Sequence, residues 1–184
     1  LADPLDASVE AFLAELALQR RASRHTLSAY RRDLRSLLEF AGTVAPAALQ
    51  THQLRRFAMQ LHGRGLAPPS LARTLSSWRT YYRWLARRGE IARNPCEGLR
   101  APRRVQALPR VLSVDQAKAL LDVEADSILD FRDKAMFELF YSSGLRLAEL
   151  ASLDCGGGLD LATGEVTVTG KRSKTRIVPL GAKA

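Results

Sequence analysis

The sequence predicts a mainly α chain: four helices, a proline-rich linker, and then a smaller α+β unit ending in three short strands. Three observations carry this. Apolar residues recur with helical period across residues 1–100, the period changes to two after residue 158, and Pro95, Pro102 and Pro109 interrupt the stretch between. The 184 residues are 46% apolar and 26% charged, a globular composition.

The first helix is expected over about Ser8 to Gln19, with Val9, Phe12, Leu13 and Leu16 on one face. The second follows Thr26 as N-cap, turns Leu27, Tyr30, Leu34, Leu37, Leu38 and Ala41 inward, and stops at Gly42. The third begins after Thr51, carries Leu54, Phe57, Ala58 and Leu61, and ends at Gly63 or Gly65. Pro68 and Pro69 launch the fourth, about Ser70 to Arg88, with Leu71, Leu75, Trp78, Tyr82 and Leu85 inward. Residues 94–110 have almost no apolar periodicity and read as a basic linker. In the second unit, Ser113 and Gln116 form a capping box for a helix running to Leu121. A further helix spans about Phe131 to Ser142, with Ala135, Met136, Leu139 and Phe140 as its stripe, and a short one runs from Leu145 to Ser152. Residues 159–161, 165–169 and 176–180 read as strands, joined by Thr163-Gly164 and a turn over 170–175.

Charge separates the two units. Residues 1–104 carry 18 basic against 8 acidic side chains, a net of +10, and all 18 are arginine. Residues 105–184 carry 10 against 11, a net of −1, so the whole excess of +9 comes from the first unit. An arginine run is ordinarily a solvated helix face. An excess this large on one small unit, placed on two separate helices, points to a polyanion, and the planar guanidinium fork suits phosphate and guanine edges.

Other classes are excluded. No run of about 18 apolar residues exists to span a membrane, and residues 1–20 lack the basic-then-apolar order of a secretory signal. Cys96 and Cys155 lack metal-ligand spacing, and a disulfide framework is not expected. A cytoplasmic location is the expectation. The opening at Leu1 rather than Met suggests a trimmed sequence.

Two further cations stand out only in context: Arg146, after Ser143-Gly144-Leu145, and Lys171 in the turn between two strands. Taken alone, each reads as a surface charge. The run from Arg132 to Leu150 and the run from Gly164 to Gly181 resemble the catalytic-arginine box and the catalytic-lysine hairpin of the tyrosine site-specific recombinases of the phage integrase family. Asn94-Pro95 and the helix from Ser70 to Trp84 fit that family's core-binding domain, so the resemblance covers essentially the whole chain. It lies within the XerC/XerD type, and Gly42, Phe57-Ala58, Gly65-Leu66 and Trp84-Leu85 incline it to the XerC branch.

The resemblance implies a SAM-like core-binding domain over 1–98, a linker over 99–110, and the front part of a catalytic domain over 111–184. It implies DNA cutting and rejoining through a 3′-phosphotyrosyl intermediate, without metal or other cofactor. Arg146 would stabilise the charge that builds on the phosphate, and Lys171 would protonate the departing 5′-oxygen, with Lys174 as the runner-up. Arg24, Arg31, Arg35, Arg73, Ser77 and Arg83 are the expected DNA-facing positions on the second and fourth helices, with Arg103, Arg104 and Lys174 adding backbone contacts. The implied partners are a double-stranded recombination site, a XerD-like sister recombinase in a heterotetramer, and the DNA translocase FtsK, acting in chromosome dimer resolution.

The family's His-x-x-Arg box, further His or Trp, and Tyr nucleophile find no match after residue 171, so the chain is expected to be cut short of its nucleophile and to bind DNA without cleaving it. His52-Gln53-Leu54-Arg55 spells the box, but lies ahead of the linker on the third helix. Tyr30 and Tyr82 fall on core stripes, Tyr81 lies beside one, and Tyr141 precedes the arginine box. Phe131, Met136, Phe137 and Phe140 are expected to leave an exposed apolar patch. The alternatives are a phage or transposon integrase, a non-catalytic helical DNA-binding protein, or a structural module.

Overall fold

The computed structural model describes residues 4–20, 22–102, 111–154, 156–170 and 174–181, which fall into two compact units, Leu1–Ala107 and Leu108–Ala184.

The first unit consists of α1 (Pro4–Arg20), α2 (Arg24–Ala41), a 3-10 turn at Pro46–Ala48, α3 (Thr51–Gly63) and α4 (Pro68–Arg87). Local chemistry sets the boundaries. The N-cap of α2 is Ser23, whose Oγ accepts from the Thr26 N–H at 3.2 Å, so the helix starts a turn before the expected Thr26. Gly42 closes α2 with φ 59°. The Gln53 side chain accepts from the Gln50 N–H at 2.8 Å and fixes the start of α3. In α4 the prolines occupy the first helical turn, where a missing N–H costs nothing.

These helices bury one core. Val9, Phe12, Leu13 and Leu16 of α1 meet Leu34 and Leu37 of α2, Leu54 and Phe57 of α3, and Leu71, Leu75, Trp78, Tyr81, Tyr82, Trp84 and Leu85 of α4. Phe12 packs on Tyr81 and Trp84 with ring centroids 5.4 and 5.7 Å apart. α4 is therefore covered on two sides, which places Tyr81, Trp84, Thr74 and Ser77 inside along with the expected stripe. Cys96 is buried in the same core as a free thiol, pushed up to about 12 by burial. Cys155 lies outside the described residues.

The second unit comprises α5 (Val114–Leu121), α6 (Ile128–Ser143), α7 (Leu147–Ala151) and strands β1 (Leu159–Asp160), β2 (Glu165–Thr169) and β3 (Thr175–Pro179). The Ser113–Gln116 capping box forms as expected. A second box, Ser127 with Asp130, starts α6 three residues ahead of the expected Phe131. The strands form one antiparallel sheet in the order β1-β2-β3, with Val166 opposite Val178 and Val168 opposite Arg176. Leu145, Leu150, Val166 and Val168 are its buried apolar residues, with Met136, Leu139, Phe140, Leu153, Leu159, Val178 and Leu180 packed partly against them. Ala135 is exposed, as are Phe131 and Phe137, while Met136 and Phe140 are half-buried.

Among the described residues no helix is long and apolar enough to cross a membrane, and no three His, Cys, Asp or Glu side chains gather into a metal site.

Candidate active site and nucleic-acid interface

Gly144 ends α6 in the left-handed region at φ 59°, and the chain reverses there into Leu145 and Arg146. Burial of Leu145 and Leu150 on the sheet anchors both ends of the short α7 segment, leaving Arg146 at its start. Ser143 Oγ donates to the Pro179 carbonyl at 3.2 Å, tying the end of α6 to the end of β3.

The Arg146 side chain is 70% exposed, yet it is fixed at one end to a buried carboxylate. Its backbone N–H donates to Glu149 Oε2 at 2.8 Å and its Nη1 donates to Glu149 Oε1 at 3.0 Å. Glu149 is 3% exposed and also accepts two bonds from Arg176, Nη1 to Oε1 at 2.6 Å and Nη2 to Oε2 at 2.9 Å. Those hydrogen bonds, Arg176 first and then the Arg146 N–H, hold the Glu149 carboxyl down at about 2. A guanidinium held this way still presents most of its donors to solvent, the arrangement that suits an oxyanion.

Glu149 and Arg176 are absent from the sequence-derived site. The signal for Glu149 was its place three residues after Arg146, the spacing of a carboxylate that reaches back to a helix start. Arg176 carried no such signal, because only the sheet brings it to α7.

Lys171 lies outside the described residues. The bond from the Gly170 N–H to the Lys174 carbonyl, 2.8 Å, closes the β2–β3 connection on either side of it. Lys174 is exposed, one residue ahead of β3.

On the first unit, Arg24, Arg35 and Arg83 are exposed. Arg31 is exposed and paired with Glu10 at 2.6 Å. Arg73 is half-buried and bonded to Asp33, whose carboxylate also accepts from Thr74 Oγ1 at 3.0 Å, while the Asp33 carbonyl accepts from Trp78 Nε1 at 2.8 Å. Burial outweighs these partners and leaves the Asp33 carboxyl raised above the usual aspartate range. Ser77 is a correction. It is fully buried, its Oγ without a partner, because the inward face of α4 is wider than one stripe, and it cannot meet DNA from there. Arg103 and Arg104 lie outside the described residues. His52 and Arg55 are exposed on α3 in the first unit.

Comparison with known proteins follows the same division. Residues 9–89 match the phage integrase N-terminal SAM-like domain, and residues 110–184 match the phage integrase family. Tyrosine recombinase XerC of Xanthomonas campestris pv. campestris (strain B100) is 50% identical over 186 aligned residues, covering 100% of this chain and 58% of that protein. Tyrosine recombinase XerC of Xylella fastidiosa (strain M23) is 48% identical, covering 96% of this chain and 60% of its own length. The chain thus spans about three-fifths of the curated relatives it matches. Among solved structures, a lambda integrase tetramer bound to a Holliday junction superposes with TM-score 0.72 at 17% identity, covering 95% of this chain and 50% of that one. The Tn1549 transposon integrase in complex with transposon right end DNA gives 0.74 at 14%, covering 96% and 61%. Both share the fold.

Proposed function

The chain belongs to the phage integrase family, as a tyrosine recombinase of the XerC type, and on that footing we propose that it supplies the DNA-gripping and phosphate-activating part of a site-specific recombinase. In this reading residues 1–98 are the core-binding domain, 99–110 the linker and 111–184 the leading part of the catalytic domain.

One observation carries the catalytic half: an exposed guanidinium, Arg146, held on a carboxylate that is 3% exposed. When a tyrosine hydroxyl attacks a DNA phosphodiester, negative charge builds on the non-bridging oxygens, and a fixed cation with free donors favours that charge over the ground state. Lys171 protonates the departing 5′-oxygen, with Lys174 second in order of preference. The phosphotyrosyl bond conserves the energy of the phosphodiester, so resealing by a second strand's 5′-hydroxyl needs no cofactor.

Arg24, Arg31, Arg35, Arg73 and Arg83, with Arg103, Arg104 and Lys174, make the contacts to the duplex, mostly to phosphate. The net +10 of residues 1–104 supports this. The partners are a double-stranded recombination site, a XerD-like sister recombinase in a heterotetramer, and the translocase FtsK, in chromosome dimer resolution in the cytoplasm. The XerC relatives support the recombinase part of this reading.

None of the four tyrosines serves as nucleophile in this reading. Tyr81 and Tyr82 are fully buried, and Tyr30 packs against the first core. These 184 residues alone bind DNA without cutting it. A nicked suicide substrate should give no covalent adduct, while binding should weaken with salt at a log–log slope of about −4 to −5, the release expected for roughly five phosphates. An adduct would overturn the first half, and affinity flat in salt the second.

A further inference from the structure

Glu149 has two cationic partners, and they come from different elements. Each carboxylate oxygen accepts once from Arg146 and once from Arg176: Oε1 from the two Nη1 atoms at 3.0 and 2.6 Å, Oε2 from the Arg146 N–H at 2.8 Å and Arg176 Nη2 at 2.9 Å. We propose that Arg176 is a positioning residue that couples the β2–β3 strand pair to Arg146, acting through Glu149. This rests on the phosphate role argued above for Arg146 and adds a residue to it.

Strand register fixes Arg176 first. It pairs with Val168, and Val178 pairs with Val166, so Arg176 shares the face on which both β2 valines are buried. Strand alternation places an apolar residue there, and a charge is tolerated only when it is well partnered. Its partner is the bidentate fork onto Glu149. A planar guanidinium fixes both the position and the plane of a carboxylate, which a lysine ammonium cannot do. The Glu149 plane then sets where the Arg146 N–H and Nη1 can donate.

Gly170 supplies the second, independent observation. A Cβ built there would lie 2.9 Å from Glu149 Oε1 and 3.3 Å from Arg176 Nη1. The backbone that enters the lysine turn therefore rests directly on this ion pair, and only glycine leaves room for it. Gly170 immediately precedes Lys171, and its N–H holds the far side of the turn through the Lys174 carbonyl at 2.8 Å. Displacing the strand pair moves Arg176 and Gly170 together. Glu149 follows, and Arg146 loses the anchor that aims it. The two family boxes thus act as one mechanical unit, with Arg146 correctly aimed only while the hairpin base is in place.

Amide exchange by NMR on the 184-residue chain tests the link, with the Val166 amide of β2 as the internal control. In Arg176→Met the Arg146 amide should lose about tenfold in protection, the scale of a lost charge-assisted bond, while Val166 stays within about twofold. The Glu149 carboxyl should titrate upward from its low position. Arg176→Lys should recover only part of the Arg146 protection. Gly170→Ala keeps both charges and should reproduce the Arg146 loss by displacing the carboxylate. An Arg146 amide unchanged in Arg176→Met would overturn the proposal. So would equal losses at Arg146 and Val166 in both Arg176→Met and Gly170→Ala, since an ion pair that merely stabilises the unit acts on both sites alike. Titrating the wild-type chain with inorganic phosphate, read at Arg146 Nε, examines the underlying role separately. A silent Arg146 with the exchange pattern intact would support the link while sinking the phosphate assignment.

Discussion

The two units solve the same problem by different means. The first buries nineteen described apolar side chains in one cluster, three of them the large aromatics Trp78, Tyr81 and Tyr82 with no exposed surface. The second buries four, while Ile128, Leu129, Phe131, Leu147, Leu161 and Ile177 are each more than half exposed. Its segment around Arg146 is organised instead by one buried carboxylate and the two arginines that bracket it. A packed core positions most of the first unit's arginines indirectly, by fixing helices, although Arg73 is also held directly on the buried carboxylate of Asp33. The second unit positions its arginine directly, by hydrogen bonds to the side chain itself. Apolar packing is insensitive to pH and costly to break by truncation, whereas a carboxylate anchor responds to charge.

Trp78→Ala probes the contrast hardest. It empties the centre of the first core and removes the donor to the Asp33 carbonyl, so it should cost about 3–5 kcal/mol. Urea unfolding followed by the remaining tryptophan, Trp84, reads this out. A loss below about 1 kcal/mol would mean that the first unit does not depend on close packing.

Acid should separate the units by sign. The folded Glu149 carboxyl lies at about 2, below its ordinary range, so its stabilising contribution is complete above that range and is lost as pH falls toward 2. The folded Asp33 carboxyl is raised, so its contribution runs the other way, present below the ordinary aspartate value and lost as pH rises through the folded one. Between pH 6 and pH 3 the Arg146 amide should lose protection while the Leu34 amide, beside Asp33 in α2, is spared that loss. Parallel falls at both would erase the distinction, and Glu149→Gln should flatten the Arg146 response.

How far the sequence reveals each unit follows from the same difference. Helices whose buried side is a single stripe are legible from period alone, and Val9, Phe12, Leu13 and Leu16 are all buried as the period indicates. So is the Ser113–Gln116 box, a local pattern with a local cause. The width of a buried face is not local. α4 touches Phe12 on one side and the Asp33 region on the other, so Ser77 turns inward although its spacing places it outside. Likewise Arg176 reads as one more solvated cation until β3 brings it beside Glu149, 27 residues away along the chain. What escapes the sequence is whatever depends on a second element arriving from a distance.

The exposed apolar face of the second unit offers a smaller test. Phe131 is 63% exposed on α6, near Ile128 and Leu129 at the helix start. Faces of this kind drive association. Phe131→Glu should leave stability within about 0.5 kcal/mol while reducing self-association at high concentration in sedimentation runs. Undiminished self-association would move the contact elsewhere.

The smallest effect tests whether the first unit's arginines act by charge alone. Arg31 is tied to Glu10 through Nε at 3.1 Å and Nη2 at 2.6 Å, with both side chains about half exposed. Such a pair contributes at most about 1 kcal/mol to folding, so Glu10→Gln should barely change the unfolding midpoint. If Arg31 contacts DNA as proposed, the pair is a competitor, since the carboxylate occupies the fork that a phosphate would take. Freeing that fork should steepen the salt dependence by up to about 0.9 in log–log slope and tighten binding a few-fold at low salt. Arg31→Ala should show no such gain, having removed the fork with the partner. Weaker binding by Glu10→Gln would reverse the assignment: Glu10 would then be aiming Arg31 much as Asp33 holds Arg73 in the same unit and Glu149 holds Arg146 in the second.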